Sequence, residues 1–121
     1  MAEKVAIIGA SEKPDRYANK AMHALQKHGH EVVLVNPFKK KIDGQRCLKS
    51  IGEHEGKVDT VTLYVNRKRF QDHIDDVIKM LPKRVIMNPG TENDEQQQVL
   101  EDAGITVLRG CTLVLLSTNQ F

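Results

Sequence analysis

The sequence predicts an α/β protein with one doubly wound, mostly parallel sheet of five strands and helices on both faces. With 121 residues, 40% of them hydrophobic and 28% charged, the chain has the size and composition of one globular domain with its own core. Short apolar runs alternate with amphipathic stretches along the chain, as expected for successive βα units. We therefore expect a single domain over residues 1–121.

The first half of the chain supplies two strands and one helix. The apolar run Val5 to Ile8 predicts a buried strand that ends at Gly9. An amphipathic helix is expected from Tyr17 to Gly29, with the glycine at the position of a left-handed C-cap. Glu31 to Val35 predicts the second strand, which Pro37 stops because proline cannot donate to a strand ladder.

The middle of the chain is less regular. Phe38 to Asp59 contains three glycines and only a weak apolar pattern, so we expect a loop there. Thr60 to Val65 predicts the third strand. Apolar residues from Phe70 to Leu81 then recur at helical spacing, which is the clearest amphipathic signal in the sequence.

The last part of the chain completes the pattern. Arg84 to Met87 predicts the fourth strand, and a helix follows that Asn93 or Thr91 caps and Gly104 closes. Ile105 to Leu108 predicts the fifth strand. Parallel strands need long connections, and such connections are right-handed, so these elements predict a Rossmann-like sheet.

Composition and charge exclude several classes of protein. A net charge of +2, from 18 basic and 16 acidic residues, is too small for a general nucleic-acid binder. The longest apolar runs fall far short of the roughly 20 residues of a membrane-spanning helix. The chain enters its first strand without a secretory signal, and its two cysteines are far apart. We expect a cytoplasmic protein that binds neither nucleic acid nor membrane.

The loop after the first strand has the features of a phosphate site. In doubly wound sheets, ligands bind beyond the carboxyl ends of the strands, near the point where the strand order reverses. Gly9, Ala10 and Ser11 are small, so their backbone N–H groups can approach a phosphate near a helix start. Lys13 and Arg16 add cationic donors. The loop matches neither the Gly-x-Gly-x-x-Gly fingerprint nor a Walker loop.

The loop after the second strand indicates which ribose is bound. Dinucleotide domains that accept an unphosphorylated ribose place Asp or Glu here. This chain has Asn36 and Pro37, followed after Phe38 by Lys39, Lys40 and Lys41. A phosphorylated ribose is therefore expected, and both NADP and coenzyme A carry one. Tyr17, Phe38 and Tyr64 lie in or beside the ligand-facing loops, where an aromatic ring can stack on a purine.

Several short motifs and one cysteine stand in a characteristic order. They are Ile8-Gly9-Ala10-Ser11, Val35-Asn36-Pro37 followed by Lys39, Val58-Asp59, Asn88-Pro89-Gly90 and Cys111. In this order the chain resembles the small stand-alone CoA-binding domain proteins, which are similar in turn to the N-terminal domain of the succinyl-CoA synthetase alpha subunit. The resemblance covers essentially the whole chain.

The resemblance implies that coenzyme A, or an acyl-CoA, is held across the strand ends. It implies that Gly9, Ala10 and Ser11 face the diphosphate and that Lys39 or Lys40 faces the phosphorylated ribose. The remaining implied contacts are with adenine, from Tyr64, Val65 and Asn66, and with pantetheine, from Asn88, Pro89 and Gly90.

Two departures from the synthetase limit what is carried over. The turn before Cys111 is Arg109-Gly110 rather than a Gly-Pro-Asn type approach, so Cys111 is assigned no ligand contact. The synthetase's phosphorylatable histidine lies in a further domain, beyond the region that corresponds to this chain.

No catalytic group stands out in the sequence. The five histidines are scattered without the spacing of a zinc site, and Ser11 lacks a Gly-x-Ser-x-Gly elbow. We therefore expect binding of a small nucleotide ligand without catalysis. Two alternatives stay open: an NADP-dependent oxidoreductase, and a regulatory or docking subunit that binds a partner protein. A protein partner or a homodimer also stays open.

Overall fold

Seven strands form one sheet in the structure, a computed structural model that describes residues 2–121. In chain order they are β1 (Lys4–Ile8), β2 (Glu31–Val35), β3 (Lys41–Ile42), β4 (Gln45–Leu48), β5 (Thr60–Leu63), β6 (Arg84–Met87) and β7 (Thr106–Arg109). Their spatial order is β3-β4-β2-β1-β5-β6-β7. All neighbouring strands run parallel except β3 and β4.

Helices cover both faces of this sheet. They are α1 (Tyr17–Lys27), α2 (Arg67–Phe70), α3 (Ile74–Met80), α4 (Asp94–Asp102) and α5 (Thr112–Ser117), with a short 3-10 turn at Ile51–Glu53. Alternate residues of β1 enter two separate cores, because side chains along a strand point to opposite faces. Ala6 and Ile8 pack with residues of α2, α3 and α4, whereas Val5 and Ile7 pack with residues of α1 and α5.

The predicted α/β class with a mostly parallel sheet is confirmed, and all five predicted strands are present as β1, β2, β5, β6 and β7. The residues predicted to cap α1 and α4 are also confirmed. Asn93 caps α4, since its side chain accepts a hydrogen bond from the N–H of Gln96. Gly29 and Gly104 have φ angles of +85° and +89°, the left-handed conformation that favours glycine after a helix.

The prediction of five strands and of a loop over residues 38–59 is wrong, because this segment contains β3, β4 and the 3-10 turn. Asp43 and Gly44, with φ angles of +50° and +76°, make a two-residue hairpin turn between β3 and β4. β4 then adds to β2 in parallel, with Leu48 opposite Val35. Strands of two and four residues are too short to show a periodic pattern.

Two further elements differ from the sequence prediction. The helix expected over Phe70 to Leu81 is two helices, α2 and α3, separated by a turn at residues 71–73. Its apolar stripe continues across the turn, so periodicity alone did not reveal the break. α5 was not predicted, because Leu113 to Leu116 is continuously apolar and lacks a helical period.

Candidate functional site

The strand order reverses at β1. The chain passes from β1 to β2 on one side, and later returns to place β5 on the other side. In open α/β sheets ligands bind at such a switch point, beyond the carboxyl ends of the strands. The segments that meet there begin at Gly9 after β1, at Asn36 after β2 and at Tyr64 after β5.

Gly9 allows the ends of β1 and β5 to lie close together. Its φ angle is +92°, in the region that favours glycine. A Cβ atom at this position would lie 2.7 Å from Cγ1 of Val65 and 2.8 Å from the carbonyl oxygen of Tyr64. Any other residue would therefore push the two segments apart.

Asn36 joins the loop after β2 to the loop after β1. Its Nδ2 donates to the carbonyl oxygen of Ala10 at 2.8 Å, and its Oδ1 accepts from the N–H of Phe38 at 2.9 Å. The N–H groups of Gly9 and Ala10 both point at the carbonyl oxygen of Val35, at 2.9 and 3.2 Å. These two amides are engaged within the protein, so a ligand has to use amides that come after Ala10.

A cleft of two connected chambers lies at this edge of the sheet. The first, which we call the inner chamber, has a volume of about 360 Å³. Its walls come from the loops after β2 and β4 and from the segment between β5 and α3. The residues of these walls are Asn36, Pro37, Phe38, Lys49, Ser50, Val65, Arg69, Asp72 and His73.

The second, outer chamber has a volume of about 450 Å³ and lies towards the start of α1. The side chains found only here are Ser11, Lys13, Arg16, Tyr17, Ala18, Lys39 and Tyr64. Gly9, Asn36, Phe38 and Arg69 line both chambers. The guanidinium carbon of Arg69 lies 5.3 Å from the centre of the Phe38 ring, so this pair stands where the chambers meet.

The outer chamber is electropositive. The first turn of α1 has no side-chain cap and no acidic residue, so the positive end of the helix dipole is open to an anion. Lys13 and Arg16 are exposed beside it. Lys39 is held by an ion pair, since its Nζ lies 2.5 Å from Oε1 of Glu12. An anion entering this chamber competes with Glu12 for Lys39.

Tyr64 contributes a neutral surface to the outer chamber. Burial raises its pKa to about 12, so the phenol carries no charge near neutral pH. The hydroxyl oxygen is buried, and the ring packs against the core on the side of α1. This side chain therefore offers an apolar wall and not an anion.

The structure brings most of the predicted site residues to the cleft. Those that line a chamber are Gly9, Ser11, Lys13, Arg16, Asn36, Pro37, Lys39, Tyr64 and Val65. Ala10 is buried behind them, and Lys40 is exposed outside both chambers. Asn66 caps α2, because its Oδ1 accepts from the N–H of Arg69 at 2.9 Å.

Asn88 lies beneath the loop after β6 and makes its hydrogen bonds inside the protein. It is 3% exposed. Its Nδ2 donates to Oγ1 of Thr62 at 2.6 Å and to the carbonyl oxygen of Leu63 at 2.8 Å, and its Oδ1 accepts from the N–H of Thr112 at 2.9 Å. Asn88 thus fastens the carboxyl ends of β5 and β6 to the start of α5. Pro89 and Gly90, which follow it, are exposed.

Sequence reasoning missed one wall of the inner chamber, formed by Lys49, Ser50, Arg69, Asp72 and His73. A signal existed for the first of these, because Lys49 ends a strongly basic segment that begins at Asn36. The other side of the wall depends on where α2 begins. Because α2 follows β5 after only three residues, its single turn lies at the carboxyl edge of the sheet.

No group of three or more His, Cys, Asp or Glu side chains among residues 2–121 is placed to hold a metal ion. No helix built from those residues is long and apolar enough to cross a membrane.

The chain matches a known protein family over most of its length. A family model described as "CoA binding domain" matches residues 3–117. The chain belongs to the CoA-binding domain family. The resemblance drawn from the sequence motifs is thereby confirmed.

Other proteins resemble this CoA-binding domain over most of its length. A crystal structure described as an uncharacterized protein has a TM-score of 0.93 and 38% identity, covering 100% of this chain and 99% of that one. The uncharacterized protein YneT of Bacillus subtilis (strain 168) is 26% identical over 106 residues, 88% of this chain and 78% of YneT. The fold also matches 25% of an acetyl-coenzyme A synthetase of Ca. Korarchaeum cryptofilum, with a TM-score of 0.75, 22% identity and 88% of this chain covered.

Proposed function

We propose that this protein binds coenzyme A or an acyl-CoA in the two-chamber cleft and acts by binding rather than by catalysis. The observation that carries the proposal is the cleft itself, a cationic cavity at the switch point of a CoA-binding domain. Coenzyme A joins an adenosine with an extra ribose phosphate, through a diphosphate, to a pantetheine arm. Each of these parts has a region of the cleft that suits its chemistry.

The outer chamber suits the diphosphate. The amides that follow Ala10 and the open first turn of α1 supply N–H donors, and Lys13 and Arg16 supply positive charge. Gly9 lets the backbone pass close beneath them, since a side chain there would meet Tyr64 and Val65. Backbone donors at a helix start combined with two cations are a common arrangement for binding phosphates.

The extra ribose phosphate is the part that separates coenzyme A from adenosine diphosphate. No acidic residue follows β2 at the position that reads an unphosphorylated ribose, where this chain has Asn36, Pro37 and Phe38. Lys39 lines the outer chamber and Lys49 lines the inner one, on either side of this loop. We assign the ribose phosphate to these two lysines, with Lys40 outside the chambers as an electrostatic contribution.

The remaining contacts follow the family. Val65 and Tyr64 are apolar surfaces at the end of β5, suited to the adenosine half, and Asn66 fixes the start of the helix beside them. For the pantetheine arm we propose the loop after β6, where Pro89 and Gly90 are exposed above the fixed Asn88. A small nucleotide ligand is the partner in this proposal, and a cytoplasmic location stays a prediction.

Thermal unfolding with matched ligands tests the proposal. The gently purified protein is first weighed by native mass spectrometry for bound coenzyme A. It is then melted with coenzyme A, NADP or adenosine diphosphate at equal concentration. A ligand that binds only the folded state at about 100 times its Kd adds about 2.7 kcal/mol, a rise of several degrees in Tm. A clear preference for coenzyme A supports the proposal. A preference for NADP or no shift at all contradicts it.

A pair of charge variants connects any binding to the cleft. Lys13→Ala with Arg16→Ala should weaken coenzyme A binding and reduce its salt dependence. The matched control is Lys27→Ala with Lys57→Ala, because both lysines precede the amino ends of strands on the opposite edge. Contacts to phosphate weaken as the Debye length falls from about 10 Å at 0.1 M salt to about 3 Å at 1 M. Equal losses from both pairs would contradict the assignment of the diphosphate.

A further inference from the structure

The two edges of the sheet differ in how well they are protected against pairing with another strand. At one edge, β3 has only two residues, Lys41 and Ile42, and Lys39 and Lys40 directly precede it. Short edge strands and lysines are devices by which natural proteins prevent edge-to-edge pairing. At the other edge, β7 has four residues, contains neither proline nor lysine, and pairs with β6 in unbroken register. The β7 edge is therefore open to a further strand.

The outer side of β7 presents backbone groups without partners. The N–H groups of Thr106 and Gly110 point towards β6, since they donate to carbonyl oxygens on that side at 3.3 and 3.1 Å. Alternate residues of an edge strand turn their N–H and C=O groups outwards, so those of Val107 and Arg109 face away from β6. None of these four groups is paired with another group of residues 2–121.

The helix that follows β7 adds an apolar and uncharged surface beside this edge. Val114 of α5 is 55% exposed, and Leu113 and Leu115 on either side of it are half-buried. These side chains and that of Leu108 in β7 belong to neither of the two cores. Residues 110–121 include no Asp, Glu, Lys or Arg, although 28% of the chain is charged. Such depletion of charge is typical of the centre of a protein–protein interface.

We propose that a second copy of this chain pairs with the β7 edge, so that the two β7 strands run antiparallel about a twofold axis at Leu108. In this register Val107 of each copy lies opposite Arg109 of the other, and their outward groups form four hydrogen bonds. Val107 packs with the core on the side of α4, so Leu108 faces the side of α1 and α5. The two Leu108 side chains then lie next to each other on that face.

The chemistry of the surface favours a second copy over a different protein. A twofold interface places the same patch on both sides, so like charges across it would repel. The apolar surface carries no charge that repels its own copy, and none that selects an oppositely charged partner. Arg109, the charged residue of β7, lies on the other face and forms an ion pair with Asp94. The surface is therefore self-complementary.

Antiparallel pairing also determines where the two ligand clefts lie. Each cleft is at the carboxyl ends of its own strands, and the two sheets join into one sheet whose halves run in opposite directions. The clefts then open towards opposite ends of that sheet, and the dimer leaves both accessible. Dimerisation is thus tested without ligand, and its failure leaves the proposed function untouched.

Sedimentation equilibrium of the protein at increasing concentration tests the pairing. One short strand and one short helix make a small interface, so we expect a dimer with a Kd of about 50 μM. Arg109→Pro removes an outward N–H and leaves the ladder to β6 intact, because proline is tolerated on an edge. It should raise the Kd at least about tenfold. Arg109→Ala, the matched control, removes the same side chain but keeps the N–H, and it should dimerise like the unaltered protein.

A charge exchange at Leu108 tests the position of the axis. Leu108→Lys and Leu108→Glu each place like charges opposite each other, so either variant alone should stay monomeric at about ten times the Kd of the unaltered protein. An equal mixture of the two places opposite charges together and should form a dimer with one copy of each. Circular dichroism first establishes that each variant is folded.

Three results overturn the inference. They are an unaltered protein that stays monomeric at about 500 μM, a dimer that persists in Arg109→Pro and in both Leu108 variants, and a mixture of folded Leu108 variants that stays monomeric. If the variants do not fold, amide hydrogen exchange of the unaltered protein decides. The amides of Val107 and Arg109 should exchange about fourfold more slowly at about 500 μM than at about 5 μM, because only the dimer protects them. Equal exchange at the two concentrations also overturns the inference.

Discussion

The side chain of Asn36 donates a hydrogen bond from Nδ2 to the carbonyl oxygen of Ala10, 2.8 Å away, and so joins the loops that follow β2 and β1. The same side chain accepts from the N–H of Phe38 and lines both chambers. Asn36 thus stands where dinucleotide domains place a ribose-binding acid, and here it holds the two walls of the cleft together.

Replacing Asn36 tests this linking role. Asn36→Asp keeps the shape and the acceptor for Phe38 but puts a carboxylate oxygen against the carbonyl of Ala10. We expect a loss of about 2 kcal/mol in the free energy of unfolding, measured by urea denaturation. Coenzyme A binding should also fall, because the new charge repels the ribose phosphate. A variant as stable as the unaltered protein would show that the Asn36–Ala10 hydrogen bond contributes little.

Gly9→Ala tests the close approach of β1 and β5. A residue with a side chain at a φ of +92° is strained, and its Cβ would also collide with Val65 and Tyr64. Gly29→Ala is the control, since its φ is +85° but nothing lies within 4 Å of the added Cβ. Backbone strain alone should lower the free energy of unfolding of Gly29→Ala by about 1 kcal/mol. In Gly9→Ala, strain and collision together should lower it by at least about 3 kcal/mol. Equal losses would mean that the segments around Gly9 move apart freely.

The elements that local patterns specify were predicted well. β6 coincides with the strand predicted from Arg84 to Met87. Asn93 marks the start of α4 through its side-chain cap, and Gly104 marks its end through its left-handed backbone. The strands β3 and β4 were missed because their place in the sheet depends on distant pairing with β2. The local clue was the pair Asp43-Gly44, which is typical of two-residue hairpin turns.

In the candidate site too, residues placed by the local sequence were predicted and residues placed by tertiary contacts were missed. Gly9 and Asn36 were predicted because each directly follows a recognisable strand, and Lys39 because it lies in the loop that Asn36 begins. Arg69 and His73 were not, because their position depends on where α2 begins and on the turn that separates it from α3. Whether a residue after a strand faces the ligand or the core depends on tertiary contacts, as the buried side chain of Asn88 illustrates.

Removal of the Glu12 carboxylate should strengthen coenzyme A binding. Glu12 holds Lys39 at 2.5 Å and places a negative charge at the mouth of the outer chamber. Glu12→Gln frees the lysine for phosphate, and we expect about a threefold gain in affinity at low salt that fades at high salt. Asp15→Asn, in the same loop but without an ion pair to the described residues, is the control for general charge. The same gain from both variants would deny Lys39 a specific role.

Asn88→Ala should be strongly destabilising. The change removes three buried hydrogen bonds, to Oγ1 of Thr62, to the carbonyl oxygen of Leu63 and from the N–H of Thr112, while the Thr62 and Thr112 hydroxyls keep the bond between them. The loss of three such bonds costs about 3 kcal/mol together. Asn93→Ala, which removes only the cap of α4, should cost about 1 kcal/mol. Urea unfolding of the two variants compares them directly. An Asn88 variant no less stable than the Asn93 variant would show that water replaces the lost hydrogen bonds.

The stability of the protein should fall as the pH drops below about 6.5, and His30 is one cause. Its Nδ1 accepts a hydrogen bond from the N–H of Glu3 at 2.9 Å, and its ring lies 5.0 Å from that of Phe121. Burial lowers the pKa of His30 from 6.5, and the same cause lowers the pKa of His54 and His73.

The direction of the effect follows from proton binding. The unfolded chain takes up protons at these histidines as the pH falls through about 6.5, whereas the folded chain resists protonation until a lower pH. Stability is therefore full above about pH 6.5, declines below it, and levels off once the folded form is protonated too. Urea midpoints measured from about pH 7.5 down to about pH 5 test this. His30→Asn, whose Oδ1 can accept from Glu3, should have a shallower decline than His28→Asn, in which an exposed ring is replaced. Identical declines would remove His30 from the explanation.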